Sequence, residues 1–167
     1  MTENAIPLAT FYKGWDVYQQ LLVTAIAPLA PEQLALRAAP HIMSIGMIAT
    51  HIIAARVGWF HWWMGEGSTE LAPLAAWDNE EEPTRSAAEI VAGLDATWLM
   101  MQNALTRWTP SDLEQIFQDP YKDAEYQGVK RTHSRQWITW HVIEHDLHHG
   151  GEISLTLGMH GLAAPDL

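Results

Sequence analysis

Near its C-terminus the chain reads Trp140-His141-Val142-Ile143-Glu144-His145-Asp146-Leu147-His148-His149-Gly150-Gly151-Glu152, and four of its nine histidines fall in this stretch. Written as a helix, it places His141, His145 and His149 at i, i+4 and i+8, drifting only about 40° per step around the axis, so they form one stripe. Two imidazoles one turn apart can hold a single metal ion. The stretch therefore asks for a long helix and for a facing element that completes the site.

Upstream, Thr132 or Ser134 is placed to cap that helix, which should run to about Gly158. Before it, residues 115–131 contain Pro120 and Gly128, lack a helical period and suit a small hairpin. Thr109-Pro110-Ser111-Asp112-Leu113 reads as a short helical start. Ser86 and Glu89 form a capping box for a helix carrying Ile90, Leu94, Trp98, Met101 and Leu105 to Trp108, a stripe read as core.

Residues 65–83 carry Gly, Pro and an acidic run from Asp78 to Glu82, a composition that reads as a solvated surface loop. Its length suits a lid or a crossover along a bundle. Ser44 begins another helix, through Trp63 or Met64 to Gly65-Glu66-Gly67, with Ile45, Ile48, His51, Ile52, Ala55, Trp59 and Trp62 on or near one side. His51 thus falls on an apolar face, where it needs a partner. His61, about 80° farther around, cannot easily share a ligand with it. The first helix spans about Thr2 to Ala27 through Leu8, Phe11, Tyr12, Trp15, Tyr18, Leu22 and Ile26, and Pro28 and Pro31 end it. A short turn, Pro31 to Leu34, precedes the loop through Pro40 and His41.

Four long helices without a convincing sheet give an all-α fold, an antiparallel four-helix bundle with a long crossover loop and short extra helical turns, in one domain over residues 1–167. No run approaches the roughly 18 apolar residues of a membrane span, and Met1 to Pro7 lacks the features of a signal peptide, so a soluble cytoplasmic protein is expected. The net charge of −11 would repel a phosphate backbone, and only Lys122, Lys130, Arg131 and Arg135 come near to clustering, which argues against nucleic acid. Cysteine is absent, so a transition metal would have to be held by His, Asp or Glu.

In such a bundle, His145 and His149 from the last helix and His51 from the second long helix would supply three neutral imidazoles, a set suited to one Zn²⁺ or Ni²⁺ with a position left for water or substrate. Glu144, Asp146 or Glu152 could orient them from behind. His148 and His160 read as surface residues. Rival signatures fit less well. His145-Asp146-Leu147-His148-His149 has Asp where the zincin motif has its Glu base, and the metzincin continuation fails at Glu152 and Leu155. No Glu-x-x-His pair of a di-iron bundle is present.

Ser44-Ile45-Gly46-Met47-Ile48-Ala49-Thr50-His51 and the segment His141 to Gly151 resemble the motifs of the DinB/YfiT-like superfamily of metal-dependent bacterial enzymes, over nearly the whole chain. The resemblance implies a four-helix bundle, often a homodimer, with one divalent metal on His51, His145 and His149 and a low-molecular-weight thiol as cosubstrate. Where the family often has Arg after the last ligand, this chain has Gly150. Two successive helical glycines cost about 1 kcal/mol each relative to Ala, so either close packing or a helix break is expected there.

These readings lead to a metal-dependent thiol transferase or hydrolase acting on a small-molecule substrate. In it His141 is the catalytic candidate, as general base or substitute ligand, and Trp62 and Trp140 are pocket walls or, by default, core. The alternative is a non-catalytic metal-binding or stress-related dimer, whose coordination sphere would be closed by four or more protein ligands.

Overall fold

The structure, a computed structural model, describes residues 6–79, 82–121, 125–126 and 129–165. The expected helix start at Thr2, Lys122 of the basic group, Gly128 of the hairpin segment and residues 80–81 of the acidic run lie outside these residues. The fold is mostly helical. Helix α1 spans Lys13–Ile26, a short α2 Pro31–Leu34, α3 Ile45–Arg56, α4 Ala87–Arg107 and α5 Arg135–Met159. No helix among the described residues is long and apolar enough to cross a membrane.

Caps fix these boundaries. Ser44 and Ser86 accept from the backbone N–H groups of Met47 and Glu89, and Ser134, rather than Thr132, caps α5 through Trp137 N. The first helix begins later than its apolar period suggests, because a separate 3₁₀ turn, Leu8–Thr10, carries its leading residues. Beyond Arg56 the backbone of α3 continues as π-helix, Val57–Trp63, and is stopped by Gly65 and Gly67, both at positive φ.

Two apolar clusters give the helices their directions. One gathers Tyr18, Leu22 and Ile26 of α1, Ile45 to Ile53 of α3, Ile90 and Leu94 of α4, and Ile153 and Leu157 of α5. The other gathers Trp15, Phe60, Trp63, Trp98 to Leu105, Ile138 and Val142. Helices α3 and α4 therefore run from the first cluster to the second, and α1 and α5 run back. An order in which every successive long helix reverses is not what these positions give: the segment between α3 and α4 carries the chain back along the fold, so those two run the same way. This crossover is not irregular throughout. It contains a 3₁₀ helix, Thr69–Ala76, which includes Pro73.

Short strands are present as well. Strand β1, Ile116–Gln118, pairs antiparallel with β4, Thr132–Ser134, while β2, Glu125–Tyr126, pairs with β3, Val129–Lys130. The pairing brackets the expected hairpin segment and delivers the chain directly into α5. Helix α5 passes unbroken through Gly150-Gly151, because Gly150 lies against Tyr18 and a Cβ there would overlap its ring and hydroxyl. Close packing, not a break, accounts for that glycine.

Candidate metal centre

Helices α3 and α5 pack on each other, and their meeting point is a fully buried ion pair. Arg56 Nη2 donates to Asp146 Oδ2 at 2.8 Å, and both side chains are 0% exposed. Arg56 Nε also reaches both carboxylate oxygens, and Trp15 Nε1 donates to Oδ2 at 2.7 Å. Arg56 Nη1 donates to Gln19 Oε1 at 2.8 Å, so α1 is tied into the same network. An ion pair with its hydrogen bonds filled can remain in a low-dielectric core, whereas half of one cannot. Asp146 is therefore committed to Arg56 and Trp15 and does not orient a histidine.

Next to this pair, His51 of α3 faces His145 and His149 of α5. The ring nitrogens of the three converge to within 4.8 Å of one another, and the Nε2 atoms of His51 and His145 are 3.1 Å apart. Nitrogens sharing one tetrahedral zinc at about 2.1 Å would lie roughly 3.4 Å apart, so this separation suits a common ion. His51 Nδ1 donates to Asp78 Oδ2 at 3.0 Å, and His149 Nδ1 donates to Glu152 Oε2 at 2.7 Å. In a neutral ring, donation from Nδ1 leaves the lone pair on Nε2.

His145 is the innermost of the three. Burial, followed by the neighbouring His149 and His51, pushes its pKa down to about 3, and its buried Nδ1 has no hydrogen-bond partner among the described residues. Burial also holds His149 below its ordinary value, partly offset by the hydrogen bond with Glu152. Neutral imidazoles brought together at a half-buried site, two of them backed by carboxylates, are a donor set that fits a divalent cation.

The remaining site residues divide. His141 stands apart from the group of three, its ring 6.3 Å from that of His145 and stacked on Trp137 at 4.8 Å, with Trp59 edge-on at 4.9 Å. His133 stacks on the far side of Trp137 at 3.7 Å. The stripe on α5 thus begins before His141, and the i, i+4 series Trp137, His141, His145 and His149 was available from spacing alone, whereas His133 joins it from β4. His61 bonds the Glu66 carbonyl, away from His51. His51 is only half-buried, because it sits at the edge of the apolar face beside the crossover.

Three expectations change. Asp78 belongs to the site instead of a solvated acid run, since the crossover folds back onto α3. Of the three acids considered behind the ligands, Glu152 alone takes that place: Glu144 is exposed and Asp146 is engaged elsewhere. Trp140 and Trp62 are 63% and 45% exposed, so neither is core or a wall of the site. Trp140 is five residues before His145, about 140° away around the helix, and Trp59 and Trp63 line a cavity instead.

A family model described as the DinB superfamily matches residues 14–153. A solved DinB-like protein from Bacillus cereus ATCC 10987 aligns with 98% of this chain and 99% of its own at a TM-score of 0.70 and 23% identity, a likeness of fold alone. No curated protein matches the chain.

Proposed function

The chain belongs to the DinB superfamily, and from that membership and the converging imidazoles we propose a divalent-metal-dependent enzyme acting on a small molecule, with one ion held by His51, His145 and His149. The observation that carries this reading is the meeting of three ring nitrogens from two helices, with Asp78 and Glu152 behind two of them. Zinc or nickel suits such neutral nitrogen donors. A bound ion would supply Lewis acidity at a position beside the three histidines, lowering the pKa of a thiol or water there so that it could serve as a nucleophile at neutral pH.

The protein's own groups prepare that position. Asp78 and Glu152 fix the rings of His51 and His149 by accepting from Nδ1, and burial keeps His145 neutral. His141, one turn before His145 and 6.3 Å from it ring to ring, is the group we assign to take a proton from the nucleophile. We read the four long helices as a four-helix bundle, in which the parallel course of α3 and α4 brings the crossover, and Asp78 with it, over the metal site.

Thiol transfer is favoured over hydrolysis by the space around Asp78. A cavity of about 460 Å³ is bordered by Ser44, Met47, Thr50, His51 and Asp78, and a second of about 260 Å³ also reaches Asp78. Two reactants thus have separate room beside one site. A homodimer is part of the same proposal, since Leu147, Leu155 and Met159 leave apolar surface exposed along α5.

Elemental analysis of the purified protein tests the first step. The wild type should carry about one equivalent of a divalent metal, and His145→Ala should lose it. Less than about a tenth of an equivalent in the wild type, unchanged in the variant, would end this reading.

A further inference from the structure

The smaller cavity lies one to two turns beyond His51 along α3. Ala54, Ala55 and Gly58 form one side, with Trp59 and Trp63 beside them and Ala75 of the crossover among the other lining residues. Two small residues and a glycine leave the space, and two indoles 5.0 Å apart, tilted by 32°, offer flat aromatic surface.

Gly58 keeps this space open. Glycine within a helical segment is costly, and at two positions of this fold the cost has a packing reason: a Cβ at Gly93 would strike Ile53 and Trp77, and one at Gly150 would strike Tyr18. At Gly58 a Cβ would meet nothing within 4 Å. What a side chain there would occupy is the cavity. Among the described residues, the exposed glycines Gly14, Gly151 and Gly158 also meet nothing, but they line neither this cavity nor the larger one beside His51.

The two charged lining residues are already engaged. Arg131 donates through Nε and Nη2 to the buried Asp119 at 3.0 and 2.8 Å, and Asp78 accepts from His51. Tyr121 supplies a hydroxyl at the rim, kept protonated because burial, then Asp119 and Asp78, raise its pKa. The volume is small for a drug-sized ligand and fits a single ring with a short substituent.

We propose that this cavity binds a flat, uncharged, single-ring organic group, the part of the substrate that the histidine cluster acts beside. Binding rests on the cavity alone, while its role as substrate rests on the metal-dependent reading above.

The test is calorimetric titration of the full chain, with and without zinc, using benzamide, its charged relatives benzoate and benzamidine, and the non-planar cyclohexanecarboxamide. Benzamide should bind about tenfold more tightly than the other three. Gly58→Leu, and independently Ala75→Leu, should weaken it about tenfold while leaving zinc stoichiometry as in the wild type. Benzamide binding unchanged in both variants, tighter binding of benzoate, or no binding of any probe would overturn the assignment. If zinc fails to bind the wild type while benzamide binding still depends on Gly58, the cavity stands and its role as substrate site falls.

Discussion

Two polar clusters join α3 to α5 within about two turns of each other, and they are built in opposite ways. Arg56 and Asp146 are both 0% exposed, matched in charge and bonded further to Trp15 and Gln19. His51, His145 and His149 are partly open, uncharged where burial acts, and leave His145 Nδ1 without a partner among the described residues. The first cluster is complete without any ligand. The second brings ring nitrogens from two helices close enough to share one cation, with the Nε2 atoms of His51 and His145 3.1 Å apart. His145 and Asp146 are adjacent, so one helix supplies the clamp and the site from successive residues on different faces.

Breaking the clamp should have the largest effect. Arg56→Met leaves Asp146 buried and unpaired and should cost about 3–5 kcal/mol in urea unfolding. Replacing both partners by apolar residues, Arg56→Met with Asp146→Leu, should recover much of this, and failure to do so would mean the pair also positions something else.

Loosening the open cluster should spare the fold. Asp78→Asn and Glu152→Gln should each lower zinc affinity about 10–100-fold by competition titration, with little change in unfolding midpoint. An equal loss of affinity in Glu144→Gln, which changes an exposed acid of α5, would remove the distinction between these acids and the rest.

A smaller effect follows from acid. The unfolded chain protonates His145 near its ordinary value of about 6.5, whereas the folded, metal-free protein holds it neutral until about 3. Between those values the unfolded state binds more protons, so stability falls as pH drops through this window. His149, shifted the same way, adds to the trend. Urea unfolding of metal-free protein between pH 7 and 4 should show the decline, and His145→Phe should reduce it.

The open cluster was the more legible of the two in sequence. Repetition at four residues exposes His145 and His149, and a lone histidine on an apolar face draws attention to His51. The clamp left no such trace. Arg56 and Asp146 are ninety residues apart, and a helical period marks which face is apolar without showing which polar groups meet across it. Asp78 was missed for a related reason: composition makes the crossover look solvated, and only the parallel course of α3 and α4 lays it against His51. Gly150 lay between two readings, packing or a break, until Tyr18 decided it. Serine caps set the starts of α3, α4 and α5 because capping is local chemistry that sequence does carry.

The most direct measurement is a metal-edge absorption spectrum of the loaded protein. Three imidazole ligands with at least one exchangeable oxygen, reduced to two imidazoles in His51→Ala, is the result this account predicts. A fourth imidazole closing the sphere, or a spectrum that His51→Ala leaves unchanged, would contradict it.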